Sequence, residues 1–479
     1  MESTNERSGS SSSPTTTTTT TTRTSTISIL PPTVTNLVEC ARHEIQSLEH
    51  PSRVSSLTEA EEDALDDGFM VCDLTVVERK LERWHQMFPR VTPYFALKCN
   101  PDLEVARVLG SHTSLKCGFD CASLAELKIA MQHVPLDTSG VVYANPQRAE
   151  QDLDQALQLG VTALTFDGPE ELRKIKASAE KLGILPRSLD LILRILVPDG
   201  HSSIPLGEKF GTPPDEVRAL TESAKSLGLK VMGVSFHCGS GCHDPGAYVE
   251  ALKLAREAMN IINKVMDEPC TLLDMGGGYP GWDGCGGDKG RFSGASVDSD
   301  TLNDISEAEE YTKDIAEAIV PVLNELFPES ETPVILSEPG RYFVEAAFGL
   351  ASRIIKVRRD ENNVRHYNIG HGVQGVFKDV LLCDETFPPI PLTMMTKSDN
   401  DSNQLLPSVV HGPGGDDYDI VCKDCQLPEL QVGDCLVFDR MGAYTISIAS
   451  RTGRPIIRYA RGGGREDAIC NIPSRQVPS

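Results

Sequence analysis

From about Tyr94 the chain alternates short apolar runs with segments whose apolar residues recur every three or four positions, as parallel strands joined by crossover helices do. The runs predict strands at 94–97, 115–119, 141–144, 163–166, 191–195, 231–236, 272–275 and 334–337. Ahead of the seventh run, Asp244 reads as a helix N-cap and Pro245 as the first helical residue, with Tyr248, Leu252, Ala255, Met259 and Ile262 on one face. Ahead of the eighth, Ile315, Ile319, Val322 and Leu326 repeat the pattern. Eight strand–helix units predict a closed parallel barrel whose functional residues sit where strands end. The residues at those ends are Lys98, Asp120, Asn145, Asp167, Arg194, His237, Gly276 and Glu338. Strands commonly terminate at polar residues, which accounts for part of this series but less well for its chemical variety.

After Phe348 the pattern becomes β-branched and aromatic, with runs at 353–357, 364–369, 435–438 and 444–448 and no long helical period. A second, mostly-β domain is expected, its turns marked by Gly at His371-Gly372, Gly412-Pro413-Gly414-Gly415 and Met441-Gly442. Residues 1–35 are rich in Ser and Thr, with an unbroken Thr15 to Thr22 run that offers nothing to bury, and read as a disordered tail. The expected organisation is this tail, an N-terminal segment 36–85 that packs partly with the β domain, a barrel over 86–345, a β domain over 346–472 and a tail over 473–479. Residues 281–304 and 394–408 read as surface insertions.

The bulk composition is globular, with 39% hydrophobic and 24% charged residues. With 69 Asp and Glu against 45 Lys and Arg, the net charge of −24 would repel phosphate backbones, so nucleic acid is a poor partner. No apolar stretch is long enough to cross a bilayer, and no membrane role is expected. The N-terminus lacks the order of a secretory signal, and Glu2 and Glu6 argue against an import peptide despite Arg7 and Arg23. A cytoplasmic protein is expected. Its 14 Cys are too sparse for a disulfide scaffold and would stay reduced there.

In Asp274-Met275-Gly276-Gly277-Gly278-Tyr279-Pro280-Gly281, three Gly after a strand let backbone N–H groups approach an anion, although Gly clusters also make ordinary turns and the Lys of a P-loop is missing. Ser337-Glu338-Pro339-Gly340-Arg341-Tyr342 brings an arginine that could clamp a phosphate beside a carboxylate that could hold a positive ring nitrogen. Lys98 follows four apolar residues; burial and nearby charge would lower its amine's pKa and ready it to attack an aldehyde, against the alternative of an exposed strand-end lysine. Together these three features fit pyridoxal phosphate. His237-Cys238 with Cys242-His243 could be read as a zinc site, but adjacent ligands point apart on a strand, and no metal is expected. Cys422-Lys423-Asp424-Cys425 is a lone C-x-x-C pair and reads as structural.

The stretches Tyr94-Phe95-Ala96-Leu97-Lys98-Cys99-Asn100, Gly118-Phe119-Asp120-Cys121-Ala122-Ser123, Tyr143-Ala144-Asn145-Pro146, Gly233-Val234-Ser235-Phe236-His237-Cys238-Gly239-Ser240-Gly241-Cys242, Asp274-Met275-Gly276-Gly277-Gly278, Glu338-Pro339-Gly340-Arg341-Tyr342 and Gly442-Ala443-Tyr444-Thr445 closely resemble the eukaryotic ornithine decarboxylases. The resemblance runs in order from about Thr35 to Ile472. It implies an alanine-racemase-like (β/α)8 TIM barrel with a C-terminal mostly-β domain, and a pyridoxal 5'-phosphate-dependent decarboxylase releasing carbon dioxide and an amine. By the same resemblance Lys98 would carry the cofactor, His237 would stack on its ring, and Glu338 would keep the ring nitrogen protonated. Asp120, Glu126 and Arg194 would support ring and lysine, and Ser240, Gly277, Gly278, Arg341 and Tyr444 would bind the phosphate, with Gly276 and Tyr342 also among the cofactor contacts. A homodimer with shared active sites is implied, in which Asp416 acts across the interface.

The sequence departs from the family's pattern at the substrate end. Where the family has a proton-donating Cys in a W-G-P-T-C-D type loop, this chain has His411-Gly412-Pro413-Gly414-Gly415-Asp416, so either another group donates, with Cys383, Asp384 and Asp417 as candidates, or protonation is slow and misdirected. The family's Tyr-Asp pair falls at Leu382-Cys383, and a neighbouring aromatic is replaced by Gln374. Cys383, Asp384 and Asp416 are therefore the substrate-binding candidates. The expected substrate is a small ornithine-like amino acid, not ornithine itself, in specialised rather than polyamine metabolism. The family's catalytically silent relatives, decoys for a regulatory partner, supply the alternative.

Overall fold

In a computed structural model the described residues are 67–133, 140–207, 209–281, 311–392, 404–414, 416–450, 453–460 and the backbone of 469–470. The Ser/Thr-rich tail, the insertion beyond Gly281, Gly415 and the C-terminal tail lie outside them.

The chain enters as β1 (Gly68–Asp73), which leads through α1 (Leu74–Met87) into β2 (Thr92–Ala96). Strands β3 (Gly118–Cys121), β4 (Val141–Tyr143), β5 (Ala163–Phe166) and β6 (Asp190–Arg194) follow, then the short β7 (Ser202–Ile204), β8 (Val231–Ser235), the short β9 (Ser240–Cys242), β10 (Leu272–Asp274) and β11 (Val334–Ser337). The strands β2-β3-β4-β5-β6-β8-β10-β11 close into an eight-stranded parallel barrel, while β7 and β9 pair with one another outside it. Helices α2 (Leu103–Gly110), α3 (Leu124–His133), α4 (Glu150–Gln158), α5 (Pro169–Lys181), α6 (Val217–Ser226), α7 (Pro245–Val265) and α8 (Tyr311–Leu326) make the crossovers. Inside the barrel, Val142, Ala144, Ile192, Leu272 and Leu336 pack together. This layer fills the bore and leaves the carboxyl ends of the strands as the site's floor.

Local sequence explains the helices. Asp244 caps α7 by accepting from the Gly246 N–H at 2.8 Å, and the five apolar residues read from the sequence are all buried. In α8 the fully buried stripe is Ile315, Ile319 and Leu323, with Val322 and Leu326 only partly covered. α1 buries Leu74, Val77, Leu81 and Trp84. The Trp84 ring lies 4.6 Å from Phe88, 5.0 Å from Tyr279 and 5.3 Å from Tyr342, and its N–H donates to the Val91 carbonyl at 3.0 Å.

Beyond α9 (Arg341–Val344) the chain forms β12 (Phe348–Arg359), β13 (Arg365–Ile369), α10 (Asp379–Cys383), β14 (Ile390–Leu392), β15 (Leu406–His411), β16 (Ile420–Leu427), β17 (Cys435–Phe438), β18 (Ile456–Ala460) and β19 (Ile469–Cys470). Strand β1 is inserted in this sheet, antiparallel to β12 and parallel to β18. Two expectations need correction. The insertion expected over 394–408 is cut short, because β15 begins at Leu406. The run 444–448 is not a strand: Tyr444 has φ +54, its N–H donates to the Cys99 carbonyl at 3.0 Å, and Ser447 Oγ donates to the same carbonyl at 3.1 Å. Long-range bonds to the loop after β2 override its β-branched composition. No described helix is long and apolar enough to cross a membrane.

Trp84→Ala would empty the centre of this aromatic cluster, and a loss of about 3–5 kcal/mol in unfolding free energy is expected from denaturant titration.

Candidate active site

Residues that follow β2, β8, β10 and β11 meet at one pocket. Ala96, Lys98, His237, Ser240, Gly278, Tyr279, Glu338, Gly340, Arg341 and Tyr444 line one cavity. Lys98 follows β2 and ion-pairs with Asp120 of β3, which is wholly buried. Burial works against the Lys98 ammonium, but the Asp120 and then the Glu338 charges outweigh it and hold the amine far above its ordinary value. The sequence reading anticipated a lowered pKa. The sign is reversed because nearby carboxylates outweigh desolvation.

Those carboxyls are crowded. Glu338 follows β11, and Asp274 ends β10 while accepting from the Gly276 N–H at 2.9 Å. Burial pushes both up, Asp274 to about 7, and the Asp120 charge adds to each. Asp274 and Glu338 hydrogen-bond to one another, while Asp120 Oδ1 is buried with no hydrogen-bond partner, acceptor capacity that a cationic or protonated ligand group would satisfy. Arg194, at the end of β6, stacks 4.9 Å over Phe210; burial lowers its pKa, and Glu338 and Asp167 act in the opposite sense.

His237 is driven well below its ordinary pKa, first by burial and then by Arg194 and Lys98. Its Nδ1 accepts from the Gly239 N–H at 3.0 Å, which fixes a neutral, flat ring at the pocket wall. A side chain at position 277 would come within 2.9 Å of His237 Nε2, so Gly is required there for close approach. Gly276 and Gly278 have φ +59 and +104, and the turn they make directs the Gly277 carbonyl outward to the Tyr248 hydroxyl at 3.3 Å. Among the described residues nothing accepts from the Gly277 or Gly278 N–H. Across the cavity, burial opposes the Arg341 charge but Glu345, at 3.4 Å from Nη1, holds it, and the guanidinium lies 5.4 Å from the Tyr444 ring. Burial pushes the Tyr444 hydroxyl up to about 12.

Other expected residues are placed elsewhere. Tyr342 does not face the cavity: its ring joins the Trp84 cluster and its hydroxyl donates to the Lys80 carbonyl at 3.1 Å. Glu126 spends its oxygens capping α3, accepting from the Ala122 N–H and Ser123 Oγ at 2.8 Å each, and reaches Lys98 only through its charge. Asn145 and Asp167 bond to the Ala122 carbonyl and the Gly211 N–H, holding loops. Cys383 ends α10, partly buried and near enough for the Arg341 charge to act on it, while burial keeps its thiol protonated. Asp384, with φ +52, and Asp416 are exposed. Asp274, unassigned at first, is the residue the sequence reading missed; its place as the polar last residue of a strand was the available signal. Cys238 and Cys242 are buried, and among the described residues no three His, Cys, Asp or Glu converge to hold a metal.

Comparisons with known proteins agree with this geometry. The pyridoxal binding domain of the pyridoxal-dependent decarboxylases matches residues 74–345. Antizyme inhibitor 2 of Xenopus laevis is 36% identical over 80% of this chain and 78% of its own. Mus musculus ornithine decarboxylase is 34% identical over 86% of this chain and 84% of its own. The arginine decarboxylase of Paramecium bursaria Chlorella virus superposes with a TM-score of 0.70 and 32% identity, covering 82% of this chain and 96% of that structure.

Asp120→Asn removes the charge that does most to keep Lys98 protonated, while burial stays and pulls the other way. Trapping of pyridoxal phosphate on the protein by cyanoborohydride, followed by mass spectrometry over a pH series, should show its rise at lower pH in D120N than in wild type. An unmoved profile would show that Asp120 does not set the amine's charge.

Proposed function

The chain belongs to the pyridoxal-dependent decarboxylases, and on that premise we propose that it decarboxylates an ornithine-like amino acid whose distal end is substituted or less basic than ornithine's. When bound, pyridoxal phosphate supplies an electron sink for the pair of electrons left as carbon dioxide departs. The chain's residues fit that group. Lys98 is the amine that would hold its aldehyde, and the Asp120 carboxylate beside it keeps that amine protonated. His237, neutral and flat, offers a face for an aromatic ring. Glu338, as a carboxylate, would hold a proton at the ring nitrogen, and the positive ring would in turn offset the burial that otherwise raises this carboxyl. Arg341, Ser240 and Gly278 line the cavity and would hold its phosphate, with the Gly277 N–H on the same turn.

The observation that carries the substrate reading is the chemistry at Cys383. A protonated thiol there, next to the exposed Leu382, offers no counter-charge to a distal ammonium, and an unpaired ammonium is costly to bury. A homodimer is part of the proposal: Asp416 is exposed and is not among the residues that line the Lys98 cavity, and Leu381, Leu382 and Tyr418 beside these segments are exposed at 55%, 66% and 81%. The likeness to an antizyme inhibitor favours a second reading, a regulator without turnover.

Two measurements separate these. Borohydride reduction with pyridoxal phosphate should label Lys98 by peptide mapping; an unlabelled Lys98 favours the regulator. Assays with ornithine, lysine, arginine and N-substituted diamino acids should show the best turnover on a substituted substrate, and efficient putrescine formation from ornithine would sink the altered-substrate reading. In the double variant L382Y/C383D the restored carboxylate should raise kcat/KM for ornithine by about tenfold to a hundredfold, the worth of a hydrogen bond to a charged group.

A further inference from the structure

Strand β16 contains Cys422-Lys423-Asp424-Cys425. On a regular strand, residues three apart face opposite sides. The ladder is irregular here: Cys425 pairs with Ser408 and Cys422 with Val410, so three steps along β16 match two along β15. The extra residue is a β-bulge. Ser408 and Val410, two apart, share a face, and so do their partners, which pack against the same hydrophobic core. Two strand steps span about 6.4–6.8 Å, at the long end of the Cα separations of about 4.4–6.8 Å that a disulfide bridges. The bulge thus converts a spacing unfit for a disulfide into a fit one.

Access and reactivity agree. Both thiols are free and partly buried, with Lys423 and Asp424 exposed between them, whereas most other described cysteines are buried. Contact with Cys425 holds the Cys422 thiol below its ordinary value, and Cys425 is pushed up in turn. Cys425 Sγ meanwhile rests 3.3 Å from the Ser408 carbonyl.

We propose that Cys422 and Cys425 are a reversible redox site that closes to an intramolecular disulfide under hydrogen peroxide. The Cys422 thiolate attacks one peroxide oxygen; an S–O bond forms, the O–O bond breaks, and the departing hydroxide takes a proton to become water. The Cys425 sulfur then attacks the Cys422 sulfur; the S–S bond forms, the S–O bond breaks, and a second water leaves with the Cys425 proton. Two thiols are oxidised and one peroxide is reduced to two waters. The disulfide fixes the bulge, and with it the register of β15 on β16. These strands flank the segment that carries Asp416, whose base Asp419 ties down by accepting from the Val373 and Gly414 N–H groups at 2.9 Å each.

The full chain is treated with hydrogen peroxide, free thiols are blocked with N-ethylmaleimide, and peptides are mapped without reductant. The peptide holding Cys422 and Cys425 should lose two hydrogens, take no maleimide, and recover both sites after dithiothreitol. In C425S, dimedone should capture oxidised Cys422 instead. Two maleimides on that peptide after oxidation, or bridges from either residue to another cysteine, overturn the site. Amide hydrogen exchange over 406–427 should slow in the oxidised protein; unchanged exchange overturns the link to the Asp416 segment.

Discussion

The pairing of Lys98 with Asp120 inside the barrel mouth is the contact on which the rest of the site turns. It sits in a pocket with more negative charge than it can neutralise, since Asp274 and Glu338 share the space. In a poorly solvated cavity each group answers that excess: the carboxyls rise and the lysine holds its proton. The buried imidazole, facing Arg194 and Lys98, stays neutral. Such a site is complementary to a group that brings an acidic N–H on a flat ring. The unpartnered Asp120 Oδ1 is the local sign of that complementarity.

The β domain completes this pocket rather than merely abutting it. The Cys99 carbonyl accepts from Tyr444 and Ser447, and Asn100 Nδ2 donates to the Gly442 carbonyl at 2.8 Å. Residues just after Lys98 therefore place Tyr444 beside Arg341. A side chain at Gly442 would run into the Val344 carbonyl, so the approach of the two backbones depends on that glycine.

Much of this was legible in the chain because strands and helices follow from local periodicity. The runs 163–166, 334–337 and 435–438 coincide with β5, β11 and β17. Positions at strand ends were legible too, but not their roles: Asp167 and Asn145 look like Asp120 in sequence and hold loops instead. Tyr342 was misplaced because a short helix turns it toward Trp84, an orientation set by packing from α1. The run 444–448 was misread as a strand for a related reason: long-range hydrogen bonds to the loop after β2 decide its conformation.

The two ends of the site are also held differently, which bears on how such a scaffold changes substrate. Around Lys98 each residue is fixed by several others, so altering one leaves a buried charge unpaired, a loss on the order of 3–5 kcal/mol. The distal end rests on lighter supports: α10 is five residues long and closes with Asp384 at φ +52, and the segment reaching Asp416 is tied mainly through Asp419. Substitutions on these lighter supports leave the charges around Lys98 balanced, as expected where strands carry the buried charges and loops carry the variable positions.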